Sequence, residues 1–143
     1  MKPKGDPGHI LQIGMGFWAS KTLLSAVELG LFTLLAAGPM AAPQIAARLG
    51  LHPRSLYDFL DALVSLGILA RAGDGPTAQY SNTAEAASFL DKNSVAYVGG
   101  ILEMANDRLY RFWGDLTTAL KTGQPQNELK TGKGSPFAIL YAD

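Results

Sequence analysis

Residues 43–82 decide the fold of this chain, and they read PQIAARLGLHPRSLYDFLDALVSLGILARAGDGPTAQYSN. Apolar residues recur there at helical spacing in two runs, and Pro43 and Pro53 stand at first helical positions, where proline is tolerated. Residues 68–70 and 79–81 then read as short strands around a Gly-Asp-Gly-Pro turn. Helix, tight turn, helix and β-hairpin is the order of a winged helix-turn-helix. We therefore predict a mainly α fold with a small β-hairpin wing.

Helical patterning continues on both sides of this unit. The predicted helices run from Ile10 to a cap at Gly30, from Leu31 to Ala37, from a cap at Thr83 to Leu90, from a cap at Ser94 through Leu102, from Asn106 or Asp107 to a cap at Gly123, and from Ser135-Pro136 onward. The breaker-rich residues 1–9 are predicted to form a flexible arm. Residues 10–123 are predicted to form one domain, and residues 124–143 a linker and the start of a further helix.

The composition narrows the class of protein. The chain has 143 residues, of which 48% are apolar and 17% charged, and its formal net charge is zero. A domain of this size has too little interior for so many apolar side chains, so a buried partner surface is expected. With no cysteine, and with only His9 and His52 as histidines, neither a disulfide nor a metal cage is expected. No run approaches the roughly 20 apolar residues of a membrane span, so a cytoplasmic protein is the expectation.

A helix-turn-helix raises the question of DNA binding, since its second helix can enter the major groove. Here Arg54 is offset by Asp58 and Asp61, and the hairpin turn offers Arg71 against Asp74. Because phosphate binding needs a basic excess, a structural role without nucleic acid is favoured. The alternative is a dimeric winged-helix DNA-binding transcription regulator, which would need a basic patch assembled from two subunits.

No constellation typical of catalysis is present. Gly14-Met15-Gly16 has the glycine spacing of a nucleotide loop, but it lies in a helical run with no strand before it, so close packing is the preferred interpretation. Met104 and Arg108 lie four residues apart on one helix face. Either both side chains pack against neighbouring residues, with the Arg108 head group extended to solvent, or both face a ligand cleft.

Several stretches resemble the N-terminal region of S-adenosylmethionine-dependent O-methyltransferases, the caffeate and acetylserotonin types and their bacterial relatives in antibiotic biosynthesis. The stretches that carry the resemblance are GFWASKTLLSAVELGLF at 16–32, IAARLGL at 45–51, LDALVSLGIL at 60–69, LYRFWGDL at 109–116 and TGQP at 122–125. In that family this region is a dimerisation domain whose helices interlock with those of the partner and roof the substrate cleft. A separate downstream domain binds the methyl donor and supplies the catalytic histidine.

The resemblance implies that residues 10–123 are a dimerisation domain and that residues 124–143 lead toward a catalytic domain that this sequence lacks. It implies a homodimer whose interface buries five side chains, Phe17, Trp18, Leu23, Leu24 and Val27. Met104, Arg108 and Trp113 would face the cleft for a small hydroxylated molecule, aromatic or not. S-adenosylmethionine is implied for a longer parent protein, and no catalytic, cofactor-binding or metal-binding residue is expected in this chain. A ligand-binding or scaffold role without catalysis stays open as an alternative to the methyltransferase role.

Overall fold

The structure is a computed structural model that describes residues 5–127. The helices are α1 (Gly8–Gly14), α2 (Gly16–Glu28), α3 (Leu31–Leu35), α4 (Ala42–Leu49), α5 (Leu56–Ser65), α6 (Ala84–Phe89), α7 (Gly99–Met104), α8 (Tyr110–Trp113) and α9 (Leu116–Thr122), and the strands are β1 (Met40–Ala41), β2 (Leu69–Ala72) and β3 (Gln79–Asn82). Short 3₁₀ turns occupy Pro53–Ser55 and Gly75–Thr77, and a π-helical turn occupies Ala105–Leu109. The chain divides into two compact units after Glu103.

The first unit contains the predicted order of helix, turn, helix and hairpin. Strands β2 and β3 pair antiparallel, with Arg71 opposite Tyr80, and α5 packs against β2. The mainly α fold with a small antiparallel sheet is thus confirmed. The sheet also has a third strand, β1, on the far side of β3. Its two residues were not predicted, because a run that short carries no alternation to detect.

Local signals explain where the two helices of this unit begin and end. Gly50 and Gly67 follow α4 and α5 with φ angles of 67° and 73°, a left-handed conformation that favours glycine and stops a helix. At the start of α4, the Ala41 amide donates to Oε1 of Gln44 at 3.0 Å. His52 accepts a hydrogen bond from the Arg54 amide on Nδ1 at 3.1 Å, and Pro53 opens the turn that follows.

The core of the first unit forms where the second half of α2 meets α3, α4, α5 and the sheet. Its largest fully buried side chains are Tyr80, Phe32, Leu31, Ile45, Leu60 and Leu63. Full burial of each such side chain stabilises the fold by roughly 1.5–3 kcal/mol. Around this centre, Leu23, Leu102 and Phe59 pack as partly buried neighbours.

The first predicted helix is broken in two at Met15, which corrects the sequence prediction. Glycines flank this residue on both sides, and Met15 leaves helical geometry with a ψ of 1°. Glycine is about 1 kcal/mol less favourable than alanine in a helix. The two glycines therefore weaken the helix at this point, and the break occurs between them. Helix α1 also begins at Gly8, inside the predicted arm, while residues 1–4 lie outside the described residues.

Downstream, the cap predicted at Thr83 is confirmed, since its Oγ1 accepts from the Ala86 amide at 3.3 Å. Gly99 opens α7 instead of lying inside a helix capped by Ser94. The far end of the Tyr97 side chain lies where a Cβ at position 99 would be, so any larger residue there would force the Tyr97 ring to move. In the second unit, Gly123 ends α9 with a φ of 65°, as predicted. The helix predicted at Ser135-Pro136 lies outside the described residues.

Candidate functional site

Helix α1 and the first turns of α2 carry an apolar surface that the chain itself leaves uncovered. We call it the α1–α2 apolar surface, and it consists of Ile10, Leu11, Ile13, Met15, Phe17 and Trp18. Ile10 is 73% exposed, Trp18 is 61% exposed, and α1 has no buried residue. The rings of Phe17 and Trp18 meet edge to face, with centroids 5.6 Å apart. An exposed apolar patch of this extent is typical of a protein–protein contact.

The five predicted interface residues divide between this surface and the core. Phe17 and Trp18 belong to the exposed surface, and Leu23 packs partly buried against the core. Leu24 and Val27 are only 5% and 3% exposed within the single chain. The chain's own residues already cover these two side chains, so their place in a dimer interface stays a prediction.

A depression of about 330 Å³ lies in the second unit. Its lining residues are Arg108, Leu109, Phe112, Trp113, Leu116, Ala119, Gln126 and Asn127. Of the three residues predicted to face a substrate cleft, Arg108 and Trp113 are among the lining residues and Met104 is not. The π-helical turn Ala105–Leu109 contributes to this arrangement: such a turn closes i→i+5 hydrogen bonds, so residues five apart come close to one face.

The lining of this depression is mainly apolar and aromatic, with one cation and two amide side chains. Trp113 is 72% exposed, and Phe112 and Leu116 extend the apolar wall beside it. Phe112, Leu109 and Leu116 fall in a stretch that carries the family resemblance, but the sequence analysis did not single them out as cleft residues. The signal that could have singled them out was their spacing around Trp113, but an ordinary α-helical period does not reveal a π turn.

A polar cluster joins α5 to the hairpin in the first unit. The Tyr80 hydroxyl donates to Oδ1 of Asp61 at 2.8 Å, and Nη1 of Arg71 donates to both Asp61 carboxylate oxygens at 3.0 Å. Nη2 of Arg71 also donates to Oδ1 of Asp74 at 2.9 Å. The hydrogen bond from Tyr80, together with Arg71, lowers the pKa of the Asp61 carboxyl. Burial, with the Asp61 hydrogen bond as the next cause, raises the pKa of Tyr80 to about 12.

This cluster bears directly on DNA binding. Arg71 is the cation of the hairpin, and its guanidinium is held by two carboxylates, so its charge is offset where a wing would meet phosphate. At the start of α5, Arg54 is followed within one turn by Asp58. Neither element of the helix-turn-helix unit thus presents a net positive surface of the kind that phosphate binding needs.

Between residues 5 and 127, no group of three or more histidine, aspartate or glutamate side chains is placed to hold a metal ion. Over the same residues, none of the helices has both the length and the apolar character needed to cross a bilayer. The lysine of α2, Lys21, has Glu28 as a partner, with Nζ and Oε2 3.9 Å apart.

Replacing Tyr80 by phenylalanine is expected to change how stability responds to alkaline pH. Because the pKa of Tyr80 is raised in the folded chain, its stabilising contribution is complete below the unfolded pKa of 10.0 and is lost as pH rises toward about 12. The stability advantage of the wild type over Tyr80→Phe should shrink by roughly 2 kcal/mol by pH 12. Urea unfolding of both proteins below pH 10 and near pH 12 measures this. A constant difference between them would contradict the raised pKa of Tyr80.

The fold and these surfaces define a mainly helical domain with an uncovered apolar surface in one unit and an apolar depression in the other. Comparison with known proteins gives the family. The model of the O-methyltransferase dimerisation domain matches residues 11–92, more than half of the chain. The chain belongs to this family.

Among characterised relatives, the tetracenomycin polyketide synthesis 8-O-methyl transferase TcmO of Streptomyces glaucescens is 48% identical over 96% of this chain and 38% of its own length. The N,N-dimethyltransferase OxyT of Streptomyces rimosus is 39% identical over the whole chain and 40% of its own. The structure of human N-acetylserotonin methyltransferase with SAM superposes with a TM-score of 0.84 at 30% identity, covering all of this chain and 43% of that one. The chain thus spans about two fifths of the length of the relatives it matches.

The methyl donor S-adenosylmethionine does not fit the described residues. Dinucleotide-type sites place a glycine loop between a strand and a helix of a parallel sheet. Here the sheet is antiparallel with three short strands, and Gly14-Met15-Gly16 joins two helices. A side chain at Gly14 or Gly16 would meet open space, so no close backbone approach explains these glycines either. Donor binding is therefore not assigned to residues 5–127.

Proposed function

We propose that this chain is the dimerisation and substrate-cleft part of a S-adenosylmethionine-dependent methyltransferase that modifies a small hydroxylated molecule in the cytoplasm. The observation that carries the proposal is the match of residues 11–92 to the dimerisation domain, together with methyltransferase relatives more than twice as long. On this proposal, the chain alone transfers no methyl group, because donor binding and the catalytic base belong to a further domain.

The homodimer is supported by the α1–α2 apolar surface. In a single chain these side chains remain in water, with Ile13 69% and Phe17 50% exposed. A second copy presents the same surface, so a two-fold contact can cover both at once. Phe17 and Trp18 are large, rigid aromatic residues of the kind that dominates interface energetics.

The substrate cleft is supported by the depression around Trp113. An aromatic acceptor would stack on the exposed indole of Trp113, and Arg108, which also lines the depression, would meet a polar substituent. One relative is named for tetracenomycin polyketide synthesis and another for acetylserotonin. OxyT is named an N,N-dimethyltransferase, so the atom that receives the methyl group, oxygen or nitrogen, is a question for experiment.

The test begins with the protein as it is made in its native cell. Its intact mass should exceed twice the 15.2 kDa of this chain, leaving room for a catalytic domain of ordinary size. Incubated with methyl-labelled S-adenosylmethionine and a panel of hydroxylated polycyclic aromatics, it should transfer label. A native mass of 15.2 kDa, or no transfer by the longer product, would overturn the proposal.

In the active protein, Trp113→Ala is expected to raise KM for the aromatic acceptor by about fivefold to 150-fold, because a stacking contact between two aromatic rings is worth roughly 1–3 kcal/mol. Leu120→Ala is the matched control, since Leu120 is similarly exposed at 77% but does not line the depression. Kinetics at saturating S-adenosylmethionine measure both. Equal KM values for the two variants would place the substrate elsewhere.

A further inference from the structure

The depression around Trp113 has an uneven set of polar groups. Its polar lining residues are Arg108, Gln126 and Asn127, and among the described residues that line it none is an aspartate or a glutamate. A guanidinium only donates hydrogen bonds, and each amide side chain has one NH₂ group and one oxygen. Hydrogen-bond donors therefore outnumber acceptors in this lining, so a molecule bound there is expected to supply acceptors.

Arg108 stands among apolar neighbours in this depression. Its side chain is partly buried, and the remaining lining residues besides the two amides are Leu109, Phe112, Trp113, Leu116 and Ala119. An aromatic ring stacked on Trp113 would displace water from this surface, and charges attract more strongly where water is excluded. An anionic group on that ring would therefore gain more from Arg108 than from an arginine on open surface.

The backbone brings this cation and the indole to one site through an irregular turn. Arg108 belongs to the π-helical turn Ala105–Leu109. In a regular α-helix, side chains five residues apart point about 140° away from each other, because each residue turns by about 100°. A π turn has more residues per turn, which brings positions five apart closer to one face. Arg108 and Trp113 are five apart, and both line the depression.

A second arginine adds positive charge beside the depression. The guanidinium carbon of Arg111 lies over the ring of Phe112, 4.8 Å from its centroid, and Phe112 is a lining residue. Asp107 and Asp115 belong to the same stretch of chain but not to the lining. The charges at the lining and next to it thus favour an anionic ligand over a neutral or cationic one.

We propose that the acceptor of this site carries a carboxylate, which the guanidinium of Arg108 binds while the acceptor ring stacks on Trp113. The proposal rests on the proposed function and narrows its substrate class to hydroxylated aromatic acids. A guanidinium has several N–H donors in a planar fork that matches the two oxygens of a carboxylate. Arg108 can therefore bind a carboxylate and keep a contact within the chain.

Two probes that differ in charge test this class, 6-hydroxy-2-naphthoate and 6-hydroxy-2-naphthamide. They have the same rings and the same hydroxyl group, and at neutral pH only the naphthoate is an anion. Each is titrated into the isotopically labelled 143-residue chain, and the NMR signal of the Trp113 indole N–H gives the affinity. Because the chain has two tryptophans, Trp18→Phe assigns that signal.

The naphthoate should bind at least about tenfold more tightly than the naphthamide. Arg108→Gln should reduce this ratio to less than about twofold, because it removes the charge that the carboxylate meets. Arg111→Gln is the matched control, since it removes the same charge from a neighbouring arginine that does not line the depression. It should keep the ratio within about threefold of wild type, and circular dichroism shows whether each variant is folded.

Equal affinity of the two probes for the wild-type chain would overturn the carboxylate assignment, whether or not a variant folds. Binding of neither probe at millimolar concentration would also overturn it. If Arg111→Gln lost the preference as fully as Arg108→Gln, overall charge would set the preference and the assignment to Arg108 would be wrong.

Methyl transfer by the longer native protein tests the proposed function separately. Transfer to both probes, with no preference for the naphthoate in transfer or in binding, would support the proposed function and overturn the carboxylate. Preferred binding of the naphthoate through Arg108, without transfer to any acceptor by the longer protein, would overturn the proposed function and support the anionic site.

Discussion

Replacing Phe17 and Trp18 together by aspartate is expected to convert the dimer into folded monomers. Both side chains are at least half exposed in the single chain, so the substitution removes apolar surface that a partner would bury and leaves the core untouched. Counting half of the full burial value for each side chain in each copy gives a loss of roughly 3–6 kcal/mol. The dissociation constant should therefore rise about 100-fold to 10,000-fold.

Sedimentation velocity over a range of protein concentrations measures this change, and far-ultraviolet circular dichroism shows whether the variant stays folded. Leu66→Asp serves as control for the effect of an added aspartate, with one new charge per copy against two in the double variant, because Leu66 is an exposed leucine outside the α1–α2 apolar surface. An unchanged dimer in the double variant would mean that two copies do not meet through this surface. If Leu66→Asp weakened the dimer as much as the double variant does, the effect would come from added negative charge and not from loss of the α1–α2 apolar surface.

Replacing Val27 by aspartate is expected to unfold the chain, in contrast to Trp18→Asp on the same helix. Val27 is 3% exposed and belongs to the core cluster with Leu31 and Phe32. The substitution forfeits the burial of valine and places a carboxylate among apolar side chains, for a combined loss on the order of 5 kcal/mol. That is comparable with the whole stability of a small domain, which is about 5–15 kcal/mol.

Urea unfolding of the two variants checks this contrast. Val27→Asp should be largely unfolded without denaturant, while Trp18→Asp should unfold near the wild-type midpoint when both are measured as monomers. A Val27→Asp protein that stays folded and merely dissociates would show that Val27 faces a partner, as its place in the apolar stripe of α2 first indicated.

The helix-turn-helix unit could be predicted because its signals are local. Pro53 and the glycines at 50 and 67 mark where helices begin and end, and the apolar spacing between them identifies which side is buried. Strand β1 was missed because two residues show no period. The break at Met15 was missed because the apolar pattern runs straight through it, and only the flanking glycines hint at a turn.

The division of the apolar residues of α2 between core and surface could not be predicted from the sequence. Periodicity shows that Trp18, Leu24 and Val27 lie on a helix with a wide apolar stripe, but it does not show which of them the rest of the chain covers. That depends on where α3, α4 and α5 pack, and these contacts join residues far apart in sequence. The same limit applies to the polar cluster, in which Asp61 meets Tyr80 from 19 positions away.

The substrate cleft stays a prediction, although two of its three predicted residues line a depression. Arg108 was a candidate because of its helical spacing to Met104, and Trp113 because of the family resemblance, and both line the depression whereas Met104 does not. The sequence did not single out Phe112 and Leu116, which also line it, because helical periodicity does not show which residues surround a depression.

The central claim, that this chain is a pairing domain, is tested most directly by its molar mass in solution. Sedimentation equilibrium of the 143-residue chain at neutral pH, over a wide concentration range, gives that mass without reference to shape. We predict a species of twice the 15.2 kDa chain mass, dissociating only on dilution. A mass of 15.2 kDa at every concentration would contradict the account, because the apolar surface of α1 and α2 would then have no second copy to cover it.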